Sequence, residues 1–324
     1  VPELDAGAAL ITIGVASQAK DPTAALRFAR YLAARDRGLQ QFAASGFEPV
    51  DGDIWVPSPN LTFFVGSVNR RALEPVIKRF EAREGVVLNT VYNGCGILTA
   101  QMRTMQQNQD KGFPDVYMAC DVYYLDTVRD LFQEAADISN TDIVMVVQKG
   151  NPKGIQTLQD LVKPGIRLAI GQPDQCTIGA LTRRLLQNAG LYDELLAHNV
   201  VTQTATSALL VPNVTTGSAD AALAYITDTR AEADKLDVIP IDSPLALAIQ
   251  PYSIARSTDF KYLGRRLFDA IAASRESFEQ AGFRWGLSKN GLGPVADAIP
   301  PEPKTAPQPA ASQPADTPKQ QAPP

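Results

Sequence analysis

The chain has 324 residues, 45% of them hydrophobic, which is enough for two packed lobes with separate cores. Its 30 basic and 35 acidic residues give a net charge of -5, and no block of Lys or Arg forms a footprint for nucleic acid or anionic lipid. No apolar run approaches the roughly 20 residues that cross a bilayer, and three cysteines are too few for a disulfide framework in a chain this long.

The chain opens at Val1 without Met or the regions of a signal peptide, so the natural start is expected to lie upstream or to have been removed. Residues 1–55 read as a closing fragment of something else. Placed 236 positions upstream of its match, "SQAKDPTAALRFARYLAARDRGLQQFAASGF" lies over "SIARSTDFKYLGRRLFDAIAASRESFEQAGF" without gaps. The two share Ser17/Ser253, Ala19/Ala255, Arg30/Arg266, Phe42/Phe278, Gly46/Gly282 and Phe47/Phe283. A repeat of a terminal segment alone predicts the end of one module followed by a whole second module, 56–290; two amphipathic helices alike by chance is the bland alternative.

Within the second module, "LTFFVG", "VVLNTV", "DVYMA", "DIVMVV" and "IRLAI" read as strands, each followed by a helix-forming stretch. That alternation predicts parallel sheets covered by helices, an α/β fold. Leu73, Val76, Ile77 and Phe80 take the spacing of one buried helix face, with Gly85 at the C-terminal cap and a kink expected at Pro75. The stretch "TVYNGCGILTAQM" (90–102) reads as strand end, tight loop and first helical turn, with Cys95 where a ligand would sit. The end, 291–324 and most clearly from Ile299, is a Pro, Ala and Gln tract expected to be a disordered tail.

Signals for catalysis are weak. The single histidine, His198, closes a helical run, so a Ser-His-Asp or Cys-His arrangement is hard to assemble. Asp115 and Asp121 suit helix capping better than acid and base roles, "GQPDQCTIGA" does not satisfy a phosphate-loop pattern, and Met102, Met105, Met118 and Met145 read as core fillers. Trp55 and Trp285 look like packing anchors near the module ends, and no catalytic cofactor is expected.

Several stretches in order carry a family resemblance over about residues 60–288: "FFVGSVNRRALEPVIKRFEAREGVVL", "YNGCGILTAQM", "PDVYMACDVYYLD", "LVKPGIRLAIGQPDQCTIGALTRRLLQNAGLYDEL", "GSADAALAYITDTR" and "FEQAGF". The module resembles type II periplasmic solute-binding proteins, and within them most resembles the molybdate/tungstate-binding proteins of ABC importers. The resemblance implies two α/β lobes joined by a hinge of crossing segments, lobe 1 about 60–140 and 230–288, lobe 2 about 141–229. It also implies an extracytoplasmic, non-enzymatic protein that hands a small inorganic ligand to an importer permease, as a monomer or as part of a multi-module surface chain with a sensing or scaffold role. The ligand site it implies uses Ser67, Tyr225, the backbone near Ile178 and the backbone near Ser207, through hydroxyls and N–H groups at helix N-termini.

One departure changes the chemistry: Cys95 stands where the family usually places a hydroxyl. On the same alignment Cys120 and Cys176 fall at strand-to-helix turns around the same cleft. Helix N-termini lower thiol pKa values, and three soft ligands suit Cu(I) or arsenite better than zinc. Cys95, Cys120 and Cys176 are therefore expected to bind a thiophilic metal or metalloid, with molybdate or tungstate as the alternative if the thiols stay protonated. Buried cysteines acting as small apolar groups, and a disulfide of which Cys95–Cys120 would be the favoured pair, stand beside these readings.

Overall fold

The computed structural model describes residues 9–108 and 112–295. The tract from residue 296 onward lies outside the described residues, as do residues 1–8. Helix α1 (Pro22–Leu32) starts where the Asp21 carboxylate accepts the Ala24 N–H at 2.9 Å, and α2 (Gly38–Ala44) follows. Lobe 1 then begins with β1 (Asn60–Gly66), α3 (Arg70–Glu84), β2 (Val87–Asn93), α4 (Cys95–Gln107), β3 (Val116–Met118) and α5 (Val122–Asp126). Strand β4 (Phe132–Gln148) leads into lobe 2, which holds β5 (Leu168–Gly171), α6 (Thr177–Asn188), α7 (Tyr192–His198), β6 (Val200–Thr204), α8 (Leu210–Thr215), β7 (Ala221–Tyr225) and β8 (Leu236–Pro240). The chain returns to lobe 1 with β9 (Leu247–Ala255), α9 (Lys261–Ala272), α10 (Arg275–Gln280), β10 (Arg284–Trp285) and β11 (Gly293–Pro294).

The five strands expected from sequence are present, but the sheets are mixed. β1 pairs in parallel with β2 and β3, and β5 with β6 and β7, pairings that need crossover connections between the strands. The segments that carry the chain between lobes run against them: β9 pairs antiparallel with β3 and β4, and β7 and β8 with β4. β4 belongs to both sheets. Its residues up to Asp142 pair with β9, whereas those from Ile143 pair with β7 and β8. Because β8 is still bonded to the lobe 2 half of β4, the chain leaves lobe 2 between Pro240 and Leu247, later than the expected boundary near 229. At the far end Gly293 and Pro294 pair with Ala135 and Glu134, so the lobe extends past the expected limit of 290.

The α3 face expected from periodicity is buried, Leu73 completely, and Gly85 ends the helix at φ 65°, a left-handed position that Gly adopts without a Cβ penalty. The helix is continuous through Pro75, whose ring sits on the exposed side, where water can satisfy the carbonyl its missing N–H leaves free. Phe63, Tyr117, Phe132 and Tyr252, all fully buried, fill the lobe 1 core around ring contacts of 5.8–6.1 Å. Asp121 caps α5 and also accepts the Ile249 N–H, tying the start of that helix to β9. His198 is exposed at the last position of α7, where a cationic side chain would complement the helix dipole.

The first segment packs against lobe 1. Thr23 donates to the Ala82 and Arg83 carbonyls at the end of α3, and the Asp53 carboxylate accepts the Tyr262 and Leu263 N–H groups at the start of α9. Its closing turn has the same local geometry as that of α10. Phe47 donates its N–H to Phe42 and Phe283 to Phe278, at 3.1 and 3.0 Å. Gly46 and Gly282 take φ of 87° and 96°, and each ring pair stands edge to face at 5.8 Å.

Candidate functional site

The turns after β2 and β3, both in lobe 1, bring two cysteines together. Cys95 is the first residue of α4, after Gly94, and Cys120 follows β3. Both are buried, their Sγ atoms are 2.9 Å apart, and the Cys120 N–H donates to the Cys95 sulfur at 3.1 Å. A Cβ on Gly66 would lie 2.7 Å from the Cys95 sulfur and closer still to that of Cys120, so only glycine fits at this end of β1. Cys176, the N-cap residue of α6 in lobe 2, faces the same region, but its thiol lies against the Thr204 and Gln172 carbonyls at 3.4 and 3.6 Å.

The lobes are closed on one another here. Ile97 N–H donates to Gln175 O at 3.3 Å, and the Tyr124 hydroxyl to Pro173 O at 2.9 Å. A Cβ on Gly94 would lie 2.7 Å from the Ala205 carbonyl oxygen, and one on Gly96 would overlap that of Asp174. The glycines on either side of Cys95 therefore let lobe 2 reach the start of α4 without a side chain in between.

Three hydroxyls converge on the sulfurs. Tyr117 from β3 and Tyr225 from the end of β7 are fully buried, as is Thr177 at the start of α6, and none of these hydroxyls has a partner at hydrogen-bond geometry among the described residues. Burial raises the Cys95 pKa, yet contact with Cys120, the nearby Tyr117 and Thr177 hydroxyls and the Cys120 N–H outweigh it and bring the thiol below its ordinary value. Contact with Cys95, and then burial, push Cys120 well up. Burial raises Cys176 to about 11. Burial, and then the neighbouring Cys120 thiol, Asp121 carboxyl and Cys95 and Cys176 thiols, raise the Tyr225 phenol well above its usual range.

Ser67 and Ser207 occupy a neighbouring part of the interlobe surface. Ser67 opens the turn before α3 and borders a cavity of about 380 Å³ with Arg70, Arg71, Ala208, Thr227 and Asp228. Ser207 opens the turn before α8 and supports Asp228, whose carboxyl burial raises to about 6. Ile178, buried, is the second residue of α6, one of the first-turn positions whose N–H has no intrahelical acceptor.

Cys95 and Cys120 thus meet, while Cys176 and Tyr225 lie in the same buried region without touching the pair at hydrogen-bond distance, and Ile178 packs near Gly171. The three-thiol metal centre expected from sequence is not assembled: among the described residues no group of three or more His, Cys, Asp or Glu side chains could hold a metal ion. Cys176 is held against carbonyls of its own lobe instead of turning toward the lobe 1 pair. Tyr117 and Thr177 were not singled out from sequence. Thr177 directly follows Cys176 at a helix start, a position where its hydroxyl could have been weighed; Tyr117 in "DVYMA" reads as an ordinary core aromatic.

Two α/β lobes sharing β4, with helix starts and unpaired hydroxyls facing one another across the closed interface, are the architecture of a bilobal ligand-binding protein. The chain belongs to the bacterial extracellular solute-binding protein family, whose model matches residues 61–284. It is 25% identical over 232 residues to the molybdate-binding protein ModA of Mycobacterium tuberculosis, covering 69% of this chain and 84% of that one. In fold it matches the periplasmic molybdate-binding protein of Azotobacter vinelandii, with a TM-score of 0.55 at 16% identity over 69% of this chain and 98% of that one. It also matches the sulfate-binding protein SubI of M. tuberculosis, with a TM-score of 0.56 at 15% identity over 70% and 87% of the two chains. No helix among the described residues is long and apolar enough to cross a membrane.

Proposed function

We propose that this chain captures a small inorganic oxyanion of the molybdate type between its lobes, outside the cytoplasm, and presents it to an ABC importer permease. The observation that carries the reading is the buried Tyr225 hydroxyl, which has no partner among the described residues, beside the start of α6, with the Tyr117 and Thr177 hydroxyls turned to the cysteine sulfurs in the same region. A buried hydroxyl without a partner costs about 1–3 kcal/mol, a cost that an anionic acceptor between the lobes removes. The start of α6 adds N–H groups and a favourable dipole without a formal positive charge. Cys120 and Cys176 are both pushed upward and so do not oppose an anion, whereas Cys95, lowered, is the one thiol whose charge would. Titration calorimetry of the reduced protein with molybdate, tungstate and sulfate tests this: saturable one-to-one heat with at least one oxyanion supports it, and none with any of them removes it.

A second reading, capture of a thiophilic ion such as Cu(I) or arsenite, is favoured by the 2.9 Å contact of Cys95 with Cys120. Arsenite heat in the reduced protein, lost in Cys95→Ser, would replace the oxyanion reading with this one. We also infer a tandem organisation in which residues 1–55 close a preceding unit of the same fold; the shared geometry of the Phe42–Phe47 and Phe278–Phe283 turns supports it. Coding sequence upstream of Val1 for a further such unit is the expected finding, and an unrelated upstream segment would remove it.

A further inference from the structure

We propose that Cys95 and Cys120 form a redox pair, which closes to a reversible intramolecular disulfide when the cleft is open to a low-molecular-weight disulfide. The pairing holds whichever ion the cleft takes.

Five observations carry it. All three cysteines are free, and the Cys95 and Cys120 sulfurs, 2.9 Å apart, need to approach by less than about 1 Å to reach the bonded distance. Both belong to lobe 1, on the turns after neighbouring strands β2 and β3, so bonding them asks for no movement of one lobe against the other. Gly66 leaves the space into which both sulfurs project. Cys95 begins a 13-residue helix and accepts the Cys120 N–H, an environment that favours its thiolate as the attacking group. Cys176 is set apart from the pair by its contacts with the Gln172 and Thr204 carbonyls.

In the reaction the Cys95 thiolate attacks one sulfur of the oxidant RSSR, which breaks its S–S bond and releases RS⁻. Cys120, giving up its proton, then attacks the Cys95 sulfur of the mixed disulfide and expels the second RS⁻. The two protons of the original thiols end on two RSH; the pair loses two electrons and RSSR gains them. In the closed form lobe 2 covers the sulfurs through Thr177 and the Ile97–Gln175 and Tyr124–Pro173 contacts, so oxidation belongs to the open form and a ligand that closes the cleft protects the pair.

The test incubates the full chain with oxidised glutathione, then denatures, alkylates and measures intact mass and peptide masses. The expected product has lost two hydrogens, carries no glutathione, retains one alkylatable thiol at Cys176 and shows a Cys95–Cys120 cross-linked peptide. Cys176→Ser should still form the bond. Three alkylatable thiols after exposure, or a stable glutathione adduct with Cys120 free, would overturn the proposal. Because the wild-type chain is itself the test, misfolding of Cys95→Ser or Cys120→Ser does not obscure the result. Saturating molybdate should slow bond formation at least tenfold; an unchanged rate in a protein that binds molybdate calorimetrically overturns the protection. If the bond forms and molybdate gives no heat, the redox pair stands and the oxyanion reading falls; if molybdate binds and no bond forms, the reverse holds.

Discussion

Arg30 and Arg266 close on the same buried carboxylate, Glu84, although they lie 236 positions apart. Arg30 Nη1 approaches Glu84 Oε2 at 3.3 Å and Arg266 Nη2 approaches Oε1 at 2.5 Å, while Arg30 Nη1 also donates to the Glu84 carbonyl at 2.9 Å. Glu84 is 2% exposed, at the last position of α3. Burial lowers the Arg30 pKa and the Glu84 charge opposes it, so the guanidinium depends on that partner. Replacing Glu84 by Gln should destabilise the protein by about 2–4 kcal/mol, because two arginines lose a shared counter-charge in a desolvated place. Urea unfolding measures the loss, and limited proteolysis should show residues 16–55 cut earlier than the rest of the chain. Unchanged stability would mean that water already satisfies both guanidinium groups.

Tyr225→Phe should separate binding from stability. The hydroxyl has no partner among the described residues, so removing it should leave the melting temperature of the ligand-free form unchanged or raise it slightly. Oxyanion affinity should fall by about tenfold, the equivalent of one hydrogen bond of about 1.4 kcal/mol to a charged acceptor. Equal affinity for both proteins in calorimetry would remove Tyr225 from the site.

Cys95→Ser exchanges a weak donor with a lowered pKa for a good neutral donor at the start of α4. Oxyanion binding should strengthen and arsenite binding should disappear. A fall in oxyanion affinity would show that the thiol itself contributes to the anion site.

Gly66→Ala places a methyl group against both sulfurs, and the backbone of β1 cannot move away because it is paired on both sides. Overpacking of this kind costs about 1–3 kcal/mol. A drop in melting temperature together with loss of the Cys95–Cys120 disulfide is expected; undisturbed disulfide formation would show that the pair has more room than its contacts indicate.

Asp228 should make stability depend on pH. Its carboxyl is raised from 3.8 to about 6 by burial, against the opposing effects of Ser207 and Arg71. An acid with a raised folded pKa favours the fold when protonated. That contribution is complete below the ordinary value of 3.8 and is lost as pH rises through about 6. Asp228→Asn should therefore raise stability at pH 7.5 by about 1–2 kcal/mol, discounted for the half-buried side chain, and change little at pH 4. Parallel melting curves for the two proteins at both pH values would contradict this.

Much of the frame was legible in the chain. The spacing of Leu73, Val76, Ile77 and Phe80, closed by Gly85, specifies α3 because a helix with one core-facing stripe has few other ways to bury those residues. The strands from "LTFFVG" to "IRLAI" follow from short β-branched and aromatic runs. The sharing of β4 is not legible there: a 17-residue strand serving two sheets looks, in sequence, like a strand with an irregular approach to it. The membership of β8 in the lobe 2 sheet is hidden for the same reason, since its partners in β4 lie 88 to 96 positions earlier, from Gln148↔Leu236 to Val144↔Pro240.

At the site, the sequence by itself determined which groups stand at the turns: Cys95 after Gly94, Cys120 after β3, Cys176 before Thr177, and Tyr225 at the end of a strand. Local pattern fixes those positions because strand, turn and helix signals act over a few residues. Only the tertiary structure decided which of them meet. It set Cys95 against Cys120, because β2 and β3 flank β1 and a glycine there leaves room, and it turned Cys176 toward carbonyls of its own lobe. Thiol contacts depend on the register and spacing of paired strands and on the closure of two lobes, and neither is written in the neighbours of a cysteine along the chain.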